Sequence, residues 1–287
     1  MNAKIIDGYI FANKIYQNIK KKIKFIKFNK LQPPGLGVIL IGNDIISRIY
    51  INKKLDISKQ LGFVSYDYYL PYNTKETTII NIIHSLNKDN NIHGILIQLP
   101  LPKHLCQTTI FNTIDPKKDI EGLNAYNIGR LYQRKPLFRS CTALGIIKLL
   151  KYYHINACGL HAVIVGASNI VGRPIALELL LLGCTVTITH RFTVNLKYHI
   201  KCADLLVVAI GKPNFISGKW IKYNAIVIDV GINRIDNKIV GDVDFITATS
   251  KASYITPVPG GIGPVTISML MYNTLSAYES YNNNIHI

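Results

Sequence analysis

Tyr50 and Lys54 stand four residues apart in SRIYINKK. That spacing places both side chains on one face of a helix. A lysine shielded from water can carry protons, and a tyrosine one turn away can stack on a flat ligand. Taken alone, Tyr-x-x-x-Lys also describes two ordinary surface residues. A second constellation lies further on, where HAVIVG runs into ASNIVGRP. This reads as a strand ending on Gly166 and a helix opening near Gly172. Glycines at those points let a backbone turn approach a pyrophosphate, whose charge the free N–H groups of the helix start would meet. Ser168 adds a hydroxyl, and Pro174 fits an early helical position where a missing N–H loses nothing. The full G-x-G-x-x-G is absent, so a Rossmann-like unit without a dinucleotide stays open at this point. The next strand ends in Thr189-His190-Arg191. NAD enzymes usually carry an acid there for the ribose hydroxyls, whereas Arg191 suits a 2′-phosphate and points to NADP. A solvated charge at a strand end is the plainer alternative.

Apolar runs alternate with helix-period stretches, the pattern of an α/β chain with largely parallel sheets. Strands are expected over residues 35–41, 63–70 and 94–98, and helices over 44–61 and 77–86. Gly62 closes the first of these helices, and Pro100 and Pro102 stop the third strand. Residues 115–140 read as an irregular, polar linker passing a cleft. A helix over 142–153 leads to a second alternating unit with strands over 162–165, 185–189, 205–209 and 225–229. Pro257, Pro259, Gly260, Gly261 and Gly263 form a Pro/Gly-rich loop before a final helix over 265–277, long enough to return to the first half. The expected fold is two αβ domains with a cleft, the second a Rossmann-like dinucleotide-binding domain. The first covers residues 1–140 joined by 265–287, and the second covers 141–264.

The 287 residues are 48% hydrophobic and 17% charged, which suffices for two cores and argues against wholesale disorder. No apolar run reaches the ~18 residues of a membrane span. The opening MNAKIIDGYIF lacks the apolar core of a signal peptide, and the Lys-rich stretch 13–28 reads as an amphipathic helix. Five cysteines without a C-x-x-C pair argue against a disulfide framework or a zinc ribbon and fit reduced thiols in a cytosol. The net charge of +17 would suit a nucleic-acid partner or attraction for anionic small molecules. Arg is scarce, however, and Lys is scattered among Ile, Asn and Tyr, as compositional bias would leave it. The clustered cations and aromatics of a nucleic-acid groove are missing from the sequence.

In short-chain dehydrogenases Tyr-x-x-x-Lys follows the dinucleotide turn; here it precedes that turn by more than a hundred residues. The order and wording resemble instead the bifunctional methylenetetrahydrofolate dehydrogenase/cyclohydrolases, most closely the bacterial NADP-dependent type. The segments that carry the match are SRIYINKK, GILIQLPLP, KDIEG, GASNIVGRP, THRFTVNL, VIDVGINR and ITPVPGGIGPVT, and the likeness runs from AKIIDG to the last helix. The resemblance implies oxidation of 5,10-methylenetetrahydrofolate to the methenyl form with NADP, then hydrolysis to 10-formyltetrahydrofolate. It implies a cytoplasmic homodimer that takes a small-molecule folate and uses no metal, nucleic acid or membrane. It implies Lys54 as the central catalytic group, Tyr50 stacked on the folate rings, and Gln98 hydrogen-bonded to Lys54 and substrate. Glu121 would meet the pterin's amino edge. Gly166, Ala167, Ser168 and Ile232 would contact NADP, with Arg191 near its 2′-phosphate, and Pro259, Gly260 and Gly261 would shape the folate wall. Three departures stand out. Glu121 replaces the family's Asp, Asn124-Ala125 its His-Pro, and Ser140-Cys141-Thr142-Ala143 its Pro-Cys-Thr-Pro. The longer Glu121 is expected to weaken folate binding, with the changes at 124 and 125 relaxing the loop around it.

Overall fold

The structure is a computed structural model that describes residues 3–236 and 238–283. Strand β1 (Lys4–Ile5) and helix α1 (Gly8–Phe28) come first. They are followed by β2 (Gly35–Ile41), α2 (Ile45–Leu61), β3 (Val64–Leu70), α3 (Glu76–Lys88), β4 (Gly94–Ile97), α4 (Gln107–Thr113) and α5 (Ala125–Tyr132). Helix α6 (Cys141–Tyr152) opens a second alternation of β5 (His161–Val165), α7 (Gly172–Leu181), β6 (Thr185–Thr189), α8 (Leu196–Lys201), β7 (Leu205–Val208) and β8 (Ile226–Asp229). The hairpin β9 (Asn233–Ile235) and β10 (Lys238–Val240), α9 (Phe245–Thr249), β11 (Tyr254–Ile255) and the long α10 (Ile262–Asn283) complete the chain. Two compact units result, one of Met1–Asn13 with Thr142–Met269 and one of Lys14–Cys141 with Leu270–Ile287.

The second of these units holds a parallel sheet in the order β3-β2-β4. Its central strand β2, GLGVILI, is buried along its whole length, as a strand covered on both faces must be. The edge strand β3 alternates exposed and half-buried positions. Helix α3 lays Ile79, Ile83 and Leu86 against Ile39, Ile41, Ile95 and Ile97 of the sheet. Each such side chain contributes about 1.5–3 kcal/mol of burial. Helix α2 is held at both ends. The Asp44 carboxylate accepts from Ser47 N–H, and Gly62 at φ 89° closes the last turn, a left-handed conformation that glycine adopts without steric cost.

The other unit has a six-stranded parallel sheet in the order β1-β11-β8-β7-β5-β6. The chain leaves β5 on one side for β6 and returns on the other for β7. That reversal makes the carboxyl end of β5 the place where such sheets bind ligands. Strand β1 joins this sheet, pairing Lys4 with Tyr254 and Ile5 with Ile255, whereas the sequence reading put the N-terminus with the first half. Two residues have no periodicity to read, so only the pairing partner reveals the strand. The stretch 115–140, expected to be irregular, contains α5. Helix α4 was also unforeseen, since it is seven residues long and buries only Ile110 and Phe111. No helix among the described residues is long and apolar enough to cross a membrane.

Candidate active site

The three-stranded unit brings together Lys54, Gln98 and Glu121. Helix α2 carries Lys54 and, one turn earlier, the half-buried Tyr50, whose hydroxyl burial pushes above its usual pKa. Gln98 follows β4 and is 8% exposed. Its Oε1 accepts from Lys54 Nζ at 3.1 Å, and its own Nε2 donates to Leu99 O at 2.6 Å. With its amide thus engaged at both ends, Gln98 presents the oxygen to the lysine in one orientation. Glu121 Oε1 lies 4.0 Å from Lys54 Nζ, an ion pair without a direct hydrogen bond. Burial pushes the Glu121 carboxyl up to about 7, against the opposing charge of Lys54. The cluster therefore pairs a cation that can hold and pass a proton with an acid that titrates near neutrality, an arrangement suited to acid–base work.

The loop bearing Glu121 is tightly fixed. The buried Asp119 carboxylate accepts from the N–H of Leu123 and Asn124 at 3.2 and 2.8 Å and from Asn127 Nδ2 at 2.8 Å. Burial raises its pKa while these hydrogen bonds oppose the rise. Asn124 is 4% exposed. It caps α5 through Tyr126 N–H at 2.8 Å and donates to Phe111 O and Ile114 O at 3.3 and 2.9 Å. The expectation of a relaxed loop is thus corrected, because Asn124 ties α4, α5 and the Glu121 loop together. Gly122 sits at φ 66°, where an added Cβ would come within 2.5 Å of the Arg139 carbonyl carbon. The Cys141 thiol is buried, donates to Ile120 O at 3.2 Å, and is held by burial well above its usual pKa.

In the six-stranded unit, Gly166, Arg191 and Ile232 follow β5, β6 and β8, all on the carboxyl edge of the sheet. Gly166 has φ 122°, and a Cβ there would stand 2.2 Å from Ala209 O; a Cβ on Gly172 would stand 1.9 Å from Gly166 O. Both glycines are therefore required to close the β5–α7 turn, whatever it binds. Ala167 is half-buried and Ser168 exposed. The Ser168 hydroxyl accepts from the N–H of Val171 and Gly172 at 3.2 and 3.4 Å, at the entry to α7. Arg191 is exposed at the tip of a turn closed by Thr193 N–H to His190 O at 2.9 Å, and it rests over the Phe192 ring at 4.7 Å. Ile232 is 43% exposed.

Two acids that hold this edge together escaped the sequence reading of the site. Asp242 accepts from three consecutive backbone N–H groups, Ile210, Gly211 and Lys212 at 2.7, 2.9 and 2.9 Å, and from Asn233 Nδ2 at 2.8 Å. Asp229 accepts from the N–H of Gly231, Asp242 and Val243 at 2.9, 3.0 and 2.8 Å. Burial lifts Asp229 to about 6 against those bonds. Only an unexplained acid between apolar residues in VIDVG and GDVDF could have hinted at either. The Pro/Gly loop belongs to this unit. Pro259 is exposed, Gly260 and Gly261 are buried, and Gly260 O accepts from Gly8 N–H at 2.8 Å.

A Rossmann-like sheet with a glycine-built turn at its switch point is the frame of a dinucleotide-binding unit, and a second α/β unit carries the lysine–amide–carboxylate cluster. Residues 6–121 match the catalytic domain of tetrahydrofolate dehydrogenase/cyclohydrolases, and residues 140–282 match their NAD(P)-binding domain. Solved structures agree. The bifunctional methylenetetrahydrofolate dehydrogenase/cyclohydrolase FolD from Campylobacter jejuni is 42% identical over 97% of this chain and 99% of its own, with a TM-score of 0.94. FolD from Trypanosoma brucei, complexed with NADP and an inhibitor, is 34% identical over 98% of both chains, with a TM-score of 0.93. A 5,10-methylenetetrahydrofolate dehydrogenase from the silkworm Bombyx mori is 36% identical over 98% of this chain and 99% of its own, with a TM-score of 0.92. The chain belongs to the tetrahydrofolate dehydrogenase/cyclohydrolase family, as its motifs led one to expect.

Proposed function

We propose that this chain oxidises 5,10-methylenetetrahydrofolate with NADP and hydrolyses the methenyl product to 10-formyltetrahydrofolate. The observation that carries the reading is the Lys54–Gln98 hydrogen bond beside Glu121. NADP, when bound, supplies the acceptor for the hydride that leaves the methylene carbon. The turn after β5 fits such a group. Gly166 and Gly172 close it at the carboxyl edge of the sheet, Ser168 is exposed there, and Arg191 offers an exposed cation at the end of the next strand. These residues, with Ile232, hold the cofactor, and Arg191 meets the 2′-phosphate, so NADP is preferred over NAD.

Folate is held by Tyr50 through stacking and by Glu121 through two hydrogen bonds from the pterin's amino edge. The nitrogen lone pairs of the substrate assist loss of the hydride, so in this step the protein mainly aligns the reactants. In the second step water adds to the methenyl carbon. Lys54 steers the water's proton toward the nitrogen released as the ring opens, and Gln98 keeps the lysine in place. The unit of residues 14–141 with 270–287 is assigned to folate, and that of 1–13 with 142–269 to NADP.

We place the enzyme in the cytoplasm as a homodimer. Five free thiols support the compartment. The edge strand β6, with Ile188 42% exposed, and the exposed Leu180 and Leu182 just before it at 53% and 37%, support pairing with a second copy. The test is to assay purified protein separately for NADP-dependent formation of methenyl-folate and for hydrolysis of supplied methenyl-folate. Activity in both assays is expected, and absence of both would overturn the reading.

A further inference from the structure

Asn273 lies within α10 at 3% exposure. Asparagine is a poor residue for a helix interior, and a buried amide must find partners. Its Nδ2 donates to Ile120 O at 2.8 Å and to Arg139 O at 3.1 Å, and lies 3.6 Å from Cys141 Sγ. The Cys141 thiol donates to the same Ile120 carbonyl at 3.2 Å. One amide thus clamps the residue before Glu121 to the segment that enters α6. The two segments are already in contact where Gly122 passes Arg139. On the other side, Ile95 N–H donates to Lys118 O at 2.8 Å, tying the start of the loop to β4.

We infer that Asn273 is a positioning residue for folate recognition. By fixing the Ile120 carbonyl it sets the direction in which the Glu121 side chain leaves the backbone, and hence where its carboxylate meets the pterin's amino edge. The inference rests on the role proposed above for Glu121. It needs a donor, not merely bulk, at position 273, since two carbonyls and a sulfur converge there.

The test is a double-mutant cycle of Asn273→Leu with Glu121→Gln, reading the Michaelis constants for folate and NADP and kcat, with thermal melting as a check on folding. Asn273→Leu is expected to raise the folate constant about tenfold, the scale of one lost hydrogen bond, and to leave the NADP constant unchanged. In the Glu121→Gln background it is expected to add no more than about twofold, the scatter of additivity measurements, instead of the full tenfold of an independent effect. Asn273→Gln keeps the donor on a longer arm and is expected to fall between wild type and Asn273→Leu. It also serves for the cycle should the leucine variant not fold. Additive effects, equal rises in both Michaelis constants, or a glutamine variant no better than leucine would each overturn the inference. If Glu121→Gln alone leaves the folate constant unchanged, the proposed role of Glu121 fails and the inference with it. A clear Glu121 effect without coupling removes Asn273 alone.

Discussion

Lys54 Nζ lies 3.1 Å from Gln98 Oε1, a hydrogen bond from α2 to the residue that follows β4. The Gln98 amide is itself fixed by Leu99 O at 2.6 Å, so the lysine is oriented by a neutral group. It faces the nearest carboxylate, that of Glu121, at the longer distance of 4.0 Å. The lysine's donor is thus aimed by an amide oxygen rather than by a carboxylate.

Lys54→Met is therefore expected to lower the hydrolysis of methenyl-folate by about 10²–10⁴-fold, the range for loss of a positioned proton-transfer group. The fold should survive, because methionine keeps an unbranched side chain of similar length at this half-buried position. Circular dichroism and a rate assay check both halves, and a near-normal rate would remove Lys54 from the mechanism.

Glu121 titrates near 7 because burial disfavours its charged form. Only the carboxylate can accept two hydrogen bonds from the pterin, so the folate Michaelis constant should fall as pH rises through about 7. The effect on stability has the opposite sign. The native state holds a proton that the unfolded chain has released, so this group's contribution is present at low pH and lost as pH rises through about 7. Glu121→Gln should remove both dependences, measured by kinetics and by denaturant midpoints across that window. Glu121→Asp should lower the folate constant with little change in that for NADP if the extra methylene weakens the site. A rise would show that the loop suits glutamate.

Arg191→Ser should weaken NADP more than NAD, since only NADP carries the 2′-phosphate. Direct binding titrations with both cofactors measure the ratio. Equal losses would place Arg191 elsewhere, as an exposed cation resting on Phe192.

Asp242→Asn replaces an oxygen that accepts from backbone N–H groups with an amide that cannot. Four donors converge on this carboxylate. The expected cost is about 1–3 kcal/mol, as for other buried groups left unpaired, with the NADP Michaelis constant rising more than that for folate. Denaturant unfolding gives the first quantity and steady-state kinetics the second; unchanged values in both would make the network dispensable.

The sequence by itself determined the alternation of strands and helices, the glycine turn at Gly166 and Gly172, and the sharing of one helix face by Tyr50 and Lys54. These features are local, since periodicity, capping and φ preference are written within a few residues of one another. Its motifs also determined the family. Only the tertiary structure decided that β1 pairs with β11, because a two-residue strand carries no pattern. It also decided that Asp119 and Asn124 pin the Glu121 loop, that Asp242 gathers the amides after β7, and that Asn273 reaches Ile120 from 153 positions along the chain. In each case a buried polar side chain satisfies backbone groups on a distant segment. Which carbonyl or amide it meets depends on how the elements pack.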